Sequence, residues 1–146
     1  MKIGIDYSLS CPAICVNVSK NDFKYNDCTF LYLTNVKKYA DTFKHGNVKF
    51  VGIRHDEYIR EEQRYDNISN FFLKIIDKYQ NPKINLEDYS FASTGRVFHI
   101  AENMGLLKYK LFKNVLRYNL LAPEQVKKFA TGKGNANKEK MIEAFK

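Results

Sequence analysis

The first part of the chain alternates apolar and polar residues with the two-residue period of β-strands. In the opening segment, Ile3 and Ile5 are expected on one face of a strand and Asp6 on the other. Cys11 and Pro12 fit the turn before the next apolar segment. The predicted strands of this region comprise residues 2–9, 13–18, 28–34 and 47–53. The first three are expected to form an antiparallel meander.

The pattern then changes to apolar residues at every third or fourth position, which predicts a helix from about Asp56 to Tyr79, ended by Pro82. Residues 83–91 predict a further strand. A second long helix is expected at 97–118, and its apolar stripe consists of Met104, Leu107, Leu111 and Val115. The remaining predictions are a strand at 119–122, a helix from Pro123 through Phe129, a loop at 131–137 and a helix from Asn137 onward. This order predicts one α/β domain, residues 1–146, with a mixed central sheet flanked by helices.

The charge of the chain is unevenly distributed. It carries 24 basic and 16 acidic side chains, a net charge of +8. Residues 101–146 hold ten basic and four acidic residues, so six of the eight net positive charges lie there. One interpretation is a solvated, lysine-rich surface. The other is a basic face that meets a polyanion, which favours nucleic acid as the partner.

Cysteine usage and hydropathy argue against a disulfide-bonded protein, a zinc-binding protein and a membrane-spanning protein. The three cysteines, Cys11, Cys15 and Cys28, are odd in number and lack the paired spacing of a zinc site, which predicts free thiols in a reducing compartment. No apolar run approaches the roughly 18 residues that a membrane span needs. We therefore expect a soluble, cytoplasmic protein with no membrane partner.

Two carboxylates lie within predicted strands. Asp6 interrupts an apolar strand, where an unpaired charge is costly. Glu87 shares the face of its strand with Asn85, while Leu86 projects from the opposite face. If the two strands are central in one sheet, Asp6 and Glu87 could share a Mg²⁺ ion, since this ion prefers oxygen ligands. The alternative is that each carboxylate pairs with one of the many lysines.

Four segments resemble successive motifs of the RuvC-type Holliday junction resolvases, especially their phage-encoded relatives. They are GIDYSL at 4–9, LEDYSF at 86–91, GRVFHIAENMG at 95–105 and PEQVKKFATGKGNANKEKM at 123–141. The motifs cover most of the chain in the family's order. The opening motif is shared with actin-like ATPases and sugar kinases, whereas the last is far more specific. The chain is too short for an actin-like ATPase, which needs two domains.

This resemblance implies a ribonuclease H-like fold and a metal-dependent, structure-selective endonuclease that cleaves four-way or branched DNA in recombination, repair or phage DNA processing. Asp6 and Glu87 then correspond to the first two catalytic carboxylates. They would hold Mg²⁺ or Mn²⁺, as two ions about 3.5–4 Å apart that activate water and stabilise the leaving oxygen. Asp88 is expected on the opposite face and is the poorer ligand. The cellular setting would be a bacterium or an infected host cell.

The resemblance also suggests residues that contact DNA. Lys127, Lys133 and Lys138 lie in the motif that resembles the family's basic, DNA-contacting loop, and we expect phosphate contacts there; the alternative is that they are plain solvated lysines. Tyr89 and Phe91 lie where the family places an aromatic residue that stacks on a base and helps to open the junction. Phe91 could instead belong to the core.

A four-way junction needs two symmetric incisions, so we expect a homodimer. Glu102 and the apolar stripe of the second long helix are expected at a two-fold interface around Gly105. The family completes its site with further acidic residues in a helix downstream of the glycine-rich motif, and this sequence ends at Lys146 before such a helix. We therefore expect a domain that lacks the C-terminal catalytic helix, either because it is part of a longer protein or because its site is naturally incomplete. The alternative function is a catalytically incomplete module that binds branched DNA.

Overall fold

A computed structural model describes residues 1–89 and 96–145 of the chain. The strands are β1 (Lys2–Asp6), β2 (Ala13–Asn17), β3 (Cys28–Thr34), β4 (Thr42–His45), β5 (Val48–Arg54), β6 (Lys83–Glu87) and β7 (Tyr118–Leu121). The helices are α1 (Glu61–Ile76), α2 (Val97–Lys113), α3 (Pro123–Thr131) and α4 (Lys138–Phe145). None of the described helices is both long and apolar enough to span a membrane.

The seven strands form one mixed sheet with the order β4-β5-β3-β2-β1-β6-β7. Strands β1, β2 and β3 are antiparallel neighbours, which confirms the predicted meander. Strand β6 pairs in parallel with β1 on one side and with β7 on the other. Because parallel strands end at the same edge of a sheet, the carboxyl ends of β1, β6 and β7 lie side by side.

One face of the sheet packs against α1 and α2 and forms the hydrophobic core. Alternation along β1 and β6 directs Ile3, Ile5, Ile84 and Leu86 to this face, and each is at most 4% exposed. The helices contribute apolar residues at helical spacing, all at most 1% exposed: Ile68, Phe72 and Ile76 from α1, and Met104, Leu107 and Leu111 from α2. The predicted apolar stripe of the second helix is therefore core as far as Leu111.

The opposite face of the sheet is open at its centre. A Cβ atom added to Gly4 would meet no atom of the described residues within 4 Å. The same face carries Asn85, whose side-chain oxygen accepts a hydrogen bond of 3.1 Å from Asn119 of the next strand. Asp6 and Glu87 share this face with Gly4 and Asn85, because they lie two residues further along β1 and β6.

Several predicted boundaries are too long. The first strand ends at Asp6 rather than Leu9, and Tyr7 instead packs edge-to-face on Phe72 at 5.1 Å. The strand predicted at 83–91 ends at Glu87. The second helix ends at Lys113 instead of residue 118. Here Val115 adopts a positive φ of 56°, and the turn that follows leads the chain into β7.

Strand β4 was not predicted from the sequence. All four of its residues, Thr42–His45, are exposed, so they show no apolar alternation. The strand exists because it pairs antiparallel with β5 at the edge of the sheet. Backbone pairing and the stacking of Phe43 on Phe50, with ring centres 4.8 Å apart, place this strand.

Candidate functional site

Asp6 and Glu87 are brought together by the parallel pairing of β1 and β6. The paired positions run from Lys2 and Lys83 to Ile5 and Leu86. Asp6 and Glu87 lie one residue beyond the last pair, on strands about 4.8 Å apart. Both side chains leave the sheet on the face opposite the core.

The electrostatics of the two carboxylates reflect this proximity. Desolvation by the surrounding protein raises the pKa of Asp6, although the residue as a whole is solvent-exposed. Desolvation also raises the pKa of Glu87, and the negative charge of Asp6 raises it further. The positive charge of Lys127 acts in the opposite direction on the pKa of Glu87. The pair therefore has uncompensated negative charge that a cation would relieve.

Both carboxylates line a groove of about 680 Å³, which we call the carboxylate groove. Its lining comes from the end of β1 and the loop after it, the end of β6 and the two residues after it, α1, the first half of α2 with the residue before it, and the start of α3. The lining residues are Asp6, Tyr7, Ser8, Leu9, Ser10, Arg64, Glu87, Asp88, Tyr89, Arg96, Ile100, Met104 and Pro123. Acidic and basic groups thus face one cleft, an arrangement suited to a ligand that carries both phosphate and a divalent cation.

The two residues after β6 also line this groove. Asp88 was expected on the opposite face, and its carboxylate does contact Lys108 of α2, the helix that packs on the core face, although the residue also lines the groove. The Asp88 carboxylate accepts hydrogen bonds from Lys108 Nζ at 3.4 Å and from the Tyr89 N–H at 3.0 Å. It is thus less available to a cation than Asp6 or Glu87. The Lys108 ammonium lies 5.8 Å from the Tyr89 ring centre.

The DNA-contacting residues predicted from the sequence are only partly gathered at the groove. Tyr89 lines it, and Lys127 of α3 lies close enough to affect Glu87. Lys133 and Lys138 are exposed beyond α3 and at the start of α4, outside the lining of the groove. Phe91 lies outside the described residues.

Sequence reasoning missed two arginines of the groove, Arg64 and Arg96. Arg64 is buried in the first turn of α1, directly before the core residue Tyr65. A signal was present, because Arg64 lies four residues before Ile68 and thus on the apolar face of the predicted helix. The contacts of Arg96 could not be predicted, since its partner Glu61 is 35 positions away in the sequence.

The residues of the groove fit a divalent cation in part. Mg²⁺ is commonly bound through one or two carboxylates and retains several waters, which matches Asp6 and Glu87. Their raised pKa values give a physical reason for cation binding. Across residues 1–89 and 96–145, however, no group of three or more His, Cys, Asp and Glu side chains is arranged to hold a metal ion.

Comparisons with known proteins point to one family. The family described as crossover junction endodeoxyribonuclease RuvC matches residues 33–145 of the chain. No curated protein sequence matches. A structure of Thermus thermophilus RuvC is 14% identical, with a TM-score of 0.60 over 96% of this chain and 77% of that one. The same protein in complex with a Holliday junction substrate is 13% identical, with a TM-score of 0.62 over 99% and 77% of the two chains. These structural likenesses show the ribonuclease H-like fold.

Proposed function

Because the chain belongs to the RuvC family of crossover junction endodeoxyribonucleases, we propose that it is a Holliday junction resolvase that cleaves four-way DNA at the carboxylate groove. The observation that carries this proposal is the pairing of Asp6 and Glu87 on adjacent parallel strands, with each pKa raised. The proposed substrate agrees with the Holliday junction bound by the T. thermophilus relative.

In this proposal Asp6 and Glu87 are the metal ligands. A bound Mg²⁺ or Mn²⁺ supplies Lewis acidity and lowers the pKa of a coordinated water. Asp6 and Glu87 provide two anionic ligands from a rigid sheet, which fixes their separation. Their two side chains support one ion directly, and the second ion expected from the family resemblance needs ligands beyond this pair.

The remaining groups of the proposed site bind and orient DNA. Lys127 lies next to the acidic pair and lowers the cost of bringing a phosphate to it. Lys133 and Lys138 extend the basic surface along the backbone of a DNA arm. Tyr89 is proposed to stack on a base at the branch point, since it lines the groove directly after Glu87. Phe91 keeps the same proposed role from the sequence.

We further propose that the protein acts as a homodimer through α2. Met104, Leu107 and Leu111 of the stripe first expected at the interface are core, so their assignment to the interface is wrong. A second stripe of α2 is solvent-exposed instead, with Phe98 at 83%, Tyr109 at 57% and Phe112 at 75% exposure. Gly105 lies on the same side, and a Cβ there would meet no described atom within 4 Å. This arrangement suits close approach of a second α2 across a two-fold axis.

A second candidate is a module that binds branched DNA without cleaving it. The observation in its favour is that no three metal-ligating side chains converge within the described ranges. The basic surface and the fold would serve this function equally well. The resolvase and the binding module differ only in metal-dependent cleavage, so one cleavage assay distinguishes them.

The experiment compares cleavage of a labelled four-way junction by the parent protein and by Asp6→Asn and Glu87→Gln. Each substitution removes an anionic ligand while keeping the shape of the side chain. Cleavage in Mg²⁺ or Mn²⁺ should fall on the order of 100-fold or more, because several kcal/mol of transition-state stabilisation are lost. Junction binding should stay within a few fold.

Asp77→Asn is the matched control, because Asp77 is exposed at the end of α1 and lies outside the groove. It should cleave at the parental rate. A variant at Asp6 or Glu87 that cleaves as fast as this control would contradict the metal-ligand assignment. A parent protein that binds junctions and never cleaves them would favour the binding module.

A further inference from the structure

Arg64 and Arg96 share one carboxylate at the wall of the carboxylate groove. Arg96 Nη2 donates a hydrogen bond to Glu61 Oε1 at 2.7 Å. Arg64 Nη1 lies 3.6 Å from the other oxygen, Glu61 Oε2, which is too far for a hydrogen bond. Glu61 thus lies between two guanidinium groups, one from the first turn of α1 and one from the residue that precedes α2, and it forms a hydrogen bond with Arg96 alone.

Arg64 is buried without being fully hydrogen-bonded. Its side chain is only 10% exposed, and Nη2 donates to the Leu9 carbonyl at 2.9 Å. Its Nε has no hydrogen-bond partner among residues 1–89 and 96–145, and neither has Glu61 Oε2. A buried donor without a partner is costly and rare in folded proteins. Because this Nε is itself buried, it marks a cluster whose hydrogen bonding a bound anion would complete after a local shift of the side chain.

The position of the two arginines identifies the chemistry of that ligand. Arg64 and Arg96 line the same groove as Asp6 and Glu87. Guanidinium groups bind phosphate through parallel, charge-assisted hydrogen bonds, and two of them can share one phosphodiester. The carboxylate of Glu61, which lies between Arg64 and Arg96, occupies the position that a phosphate would take. A purely structural ion pair between α1 and α2 would explain the Glu61 contacts but not the unpaired Nε of Arg64.

We propose that Arg64 and Arg96 form a binding site for a DNA backbone phosphate, and that Glu61 holds Arg96 until a phosphate replaces it. This site rests on the proposed function in one respect, namely that the groove receives DNA. Arg64 is held by the Leu9 carbonyl and lies 5.2 Å from the centre of the Tyr58 ring, and it contributes a fixed positive charge to the proposed site. Arg96, with its side chain 54% exposed, is free to leave Glu61 and turn toward the strand.

The test measures equilibrium binding of a fluorescent four-way junction and of a linear duplex of equal length, with Ca²⁺ in place of Mg²⁺ to prevent cleavage. Arg96→Gln should weaken binding to both by about tenfold, the loss expected for one charge-assisted hydrogen bond. Glu61→Gln should instead tighten binding roughly two- to fivefold, because a partly exposed ion pair no longer competes with the phosphate.

Arg60→Gln is the matched control. It removes the same charge one residue before α1, but Arg60 does not line the carboxylate groove. Its effect measures the general loss of positive charge. Thermal unfolding of each variant checks that the fold persists, and Arg96 and Glu61 are sufficiently exposed for both substitutions to be tolerated.

The phosphate site is overturned if Arg96→Gln weakens binding no more than Arg60→Gln does. The exchange is overturned if Glu61→Gln leaves affinity unchanged or lowers it. Failure of the proposed function gives a different result, because the parent would then bind the junction no better than the duplex. The ordering of Arg96→Gln, parent and Glu61→Gln on the duplex would still be measurable in that case.

Discussion

At the scale of single residues, the position of Asp6 within an apolar strand was enough to mark it as a candidate site residue. A charge within an apolar strand needs a compensating partner, so Asp6 stands out in the sequence alone. Glu87 follows from strand parity, and the parallel pairing of β1 and β6 brings the two together. Arg64 and Arg96 do not follow, because their contacts with Leu9 and Glu61 arise only when distant segments meet.

The raised pKa of Asp6 predicts how stability depends on pH. A carboxyl group with a raised pKa in the folded state stabilises the fold only while it is protonated, below its ordinary value of 3.8. That contribution is lost as pH rises through the folded pKa. Asp6→Asn should therefore unfold at the same temperature as the parent near pH 3 and at a higher temperature at pH 7.

Thermal unfolding at the two pH values, without divalent ions, measures this difference. Added Mg²⁺ should narrow the gap at pH 7, because the ion stabilises the parent and finds one ligand fewer in the variant. An Asp6→Asn protein that is less stable than the parent at pH 7 would show that Asp6 is compensated within the fold.

At the scale of elements, the sequence predicted the four α-helices of the described residues and all of their strands except β4, while two short 3-10 helices, Tyr25–Asp27 and Lys37–Tyr39, were not predicted. Boundaries failed where tertiary contacts end an element early, as at Asp6 and Lys113. The prediction of which face of α2 is exposed also failed. The sequence shows one apolar stripe, Met104, Leu107 and Leu111, but the helix carries a second one, and only the fold decides which stripe is buried.

The exposed stripe of α2 predicts a dimer that a single charge can disrupt. Phe112→Glu places a carboxylate in an apolar interface and should yield monomers at micromolar concentration in sedimentation experiments, whereas the parent sediments as a dimer. Val115→Glu is the control, since Val115 is 87% exposed but lies beyond the end of α2. A monomeric parent would contradict the proposed interface.

The packing of β5 requires a residue without a side chain at position 52. A Cβ on Gly52 would overlap the Tyr39 carbonyl oxygen and lie 2.8 Å from the Tyr32 hydroxyl. Gly52→Ala should therefore lower the free energy of unfolding by about 1–3 kcal/mol. Gly4→Ala is the control, because its Cβ meets open space, and it should be close to neutral in chemical denaturation. Equal stabilities of the two variants would refute the close approach at Gly52.

At the scale of the whole molecule, the uneven distribution of charge along the sequence favours a nucleic-acid partner. The sheet order places the acidic pair at the ends of β1 and β6, and Lys127 of α3 stands beside it. The convergence of a cation site and basic groups could not be predicted from composition, because it depends on strand order. The family resemblance gave the substrate class, which geometry alone does not identify.

The basic residues beyond α3 predict that junction binding depends on salt. Lys133→Ala and Lys138→Ala should each weaken binding to all sequences and reduce the slope of log K against log salt by about one, since each lysine releases counterions from one phosphate. Lys20→Ala is the control on an exposed residue of the β2–β3 connection. If Lys133→Ala and Lys138→Ala match this control, their lysines are merely solvated.

Metal-dependent cutting of a four-way junction by the parent and by Glu87→Gln decides whether the carboxylate groove is a catalytic site. We predict paired nicks near the branch point of the labelled junction, loss of nicking with EDTA or with Glu87→Gln, and little cutting of a linear duplex of the same sequence. Nicking that persists in EDTA, or that Glu87→Gln performs at the parental rate, would contradict the assignment of the carboxylate groove as the catalytic site.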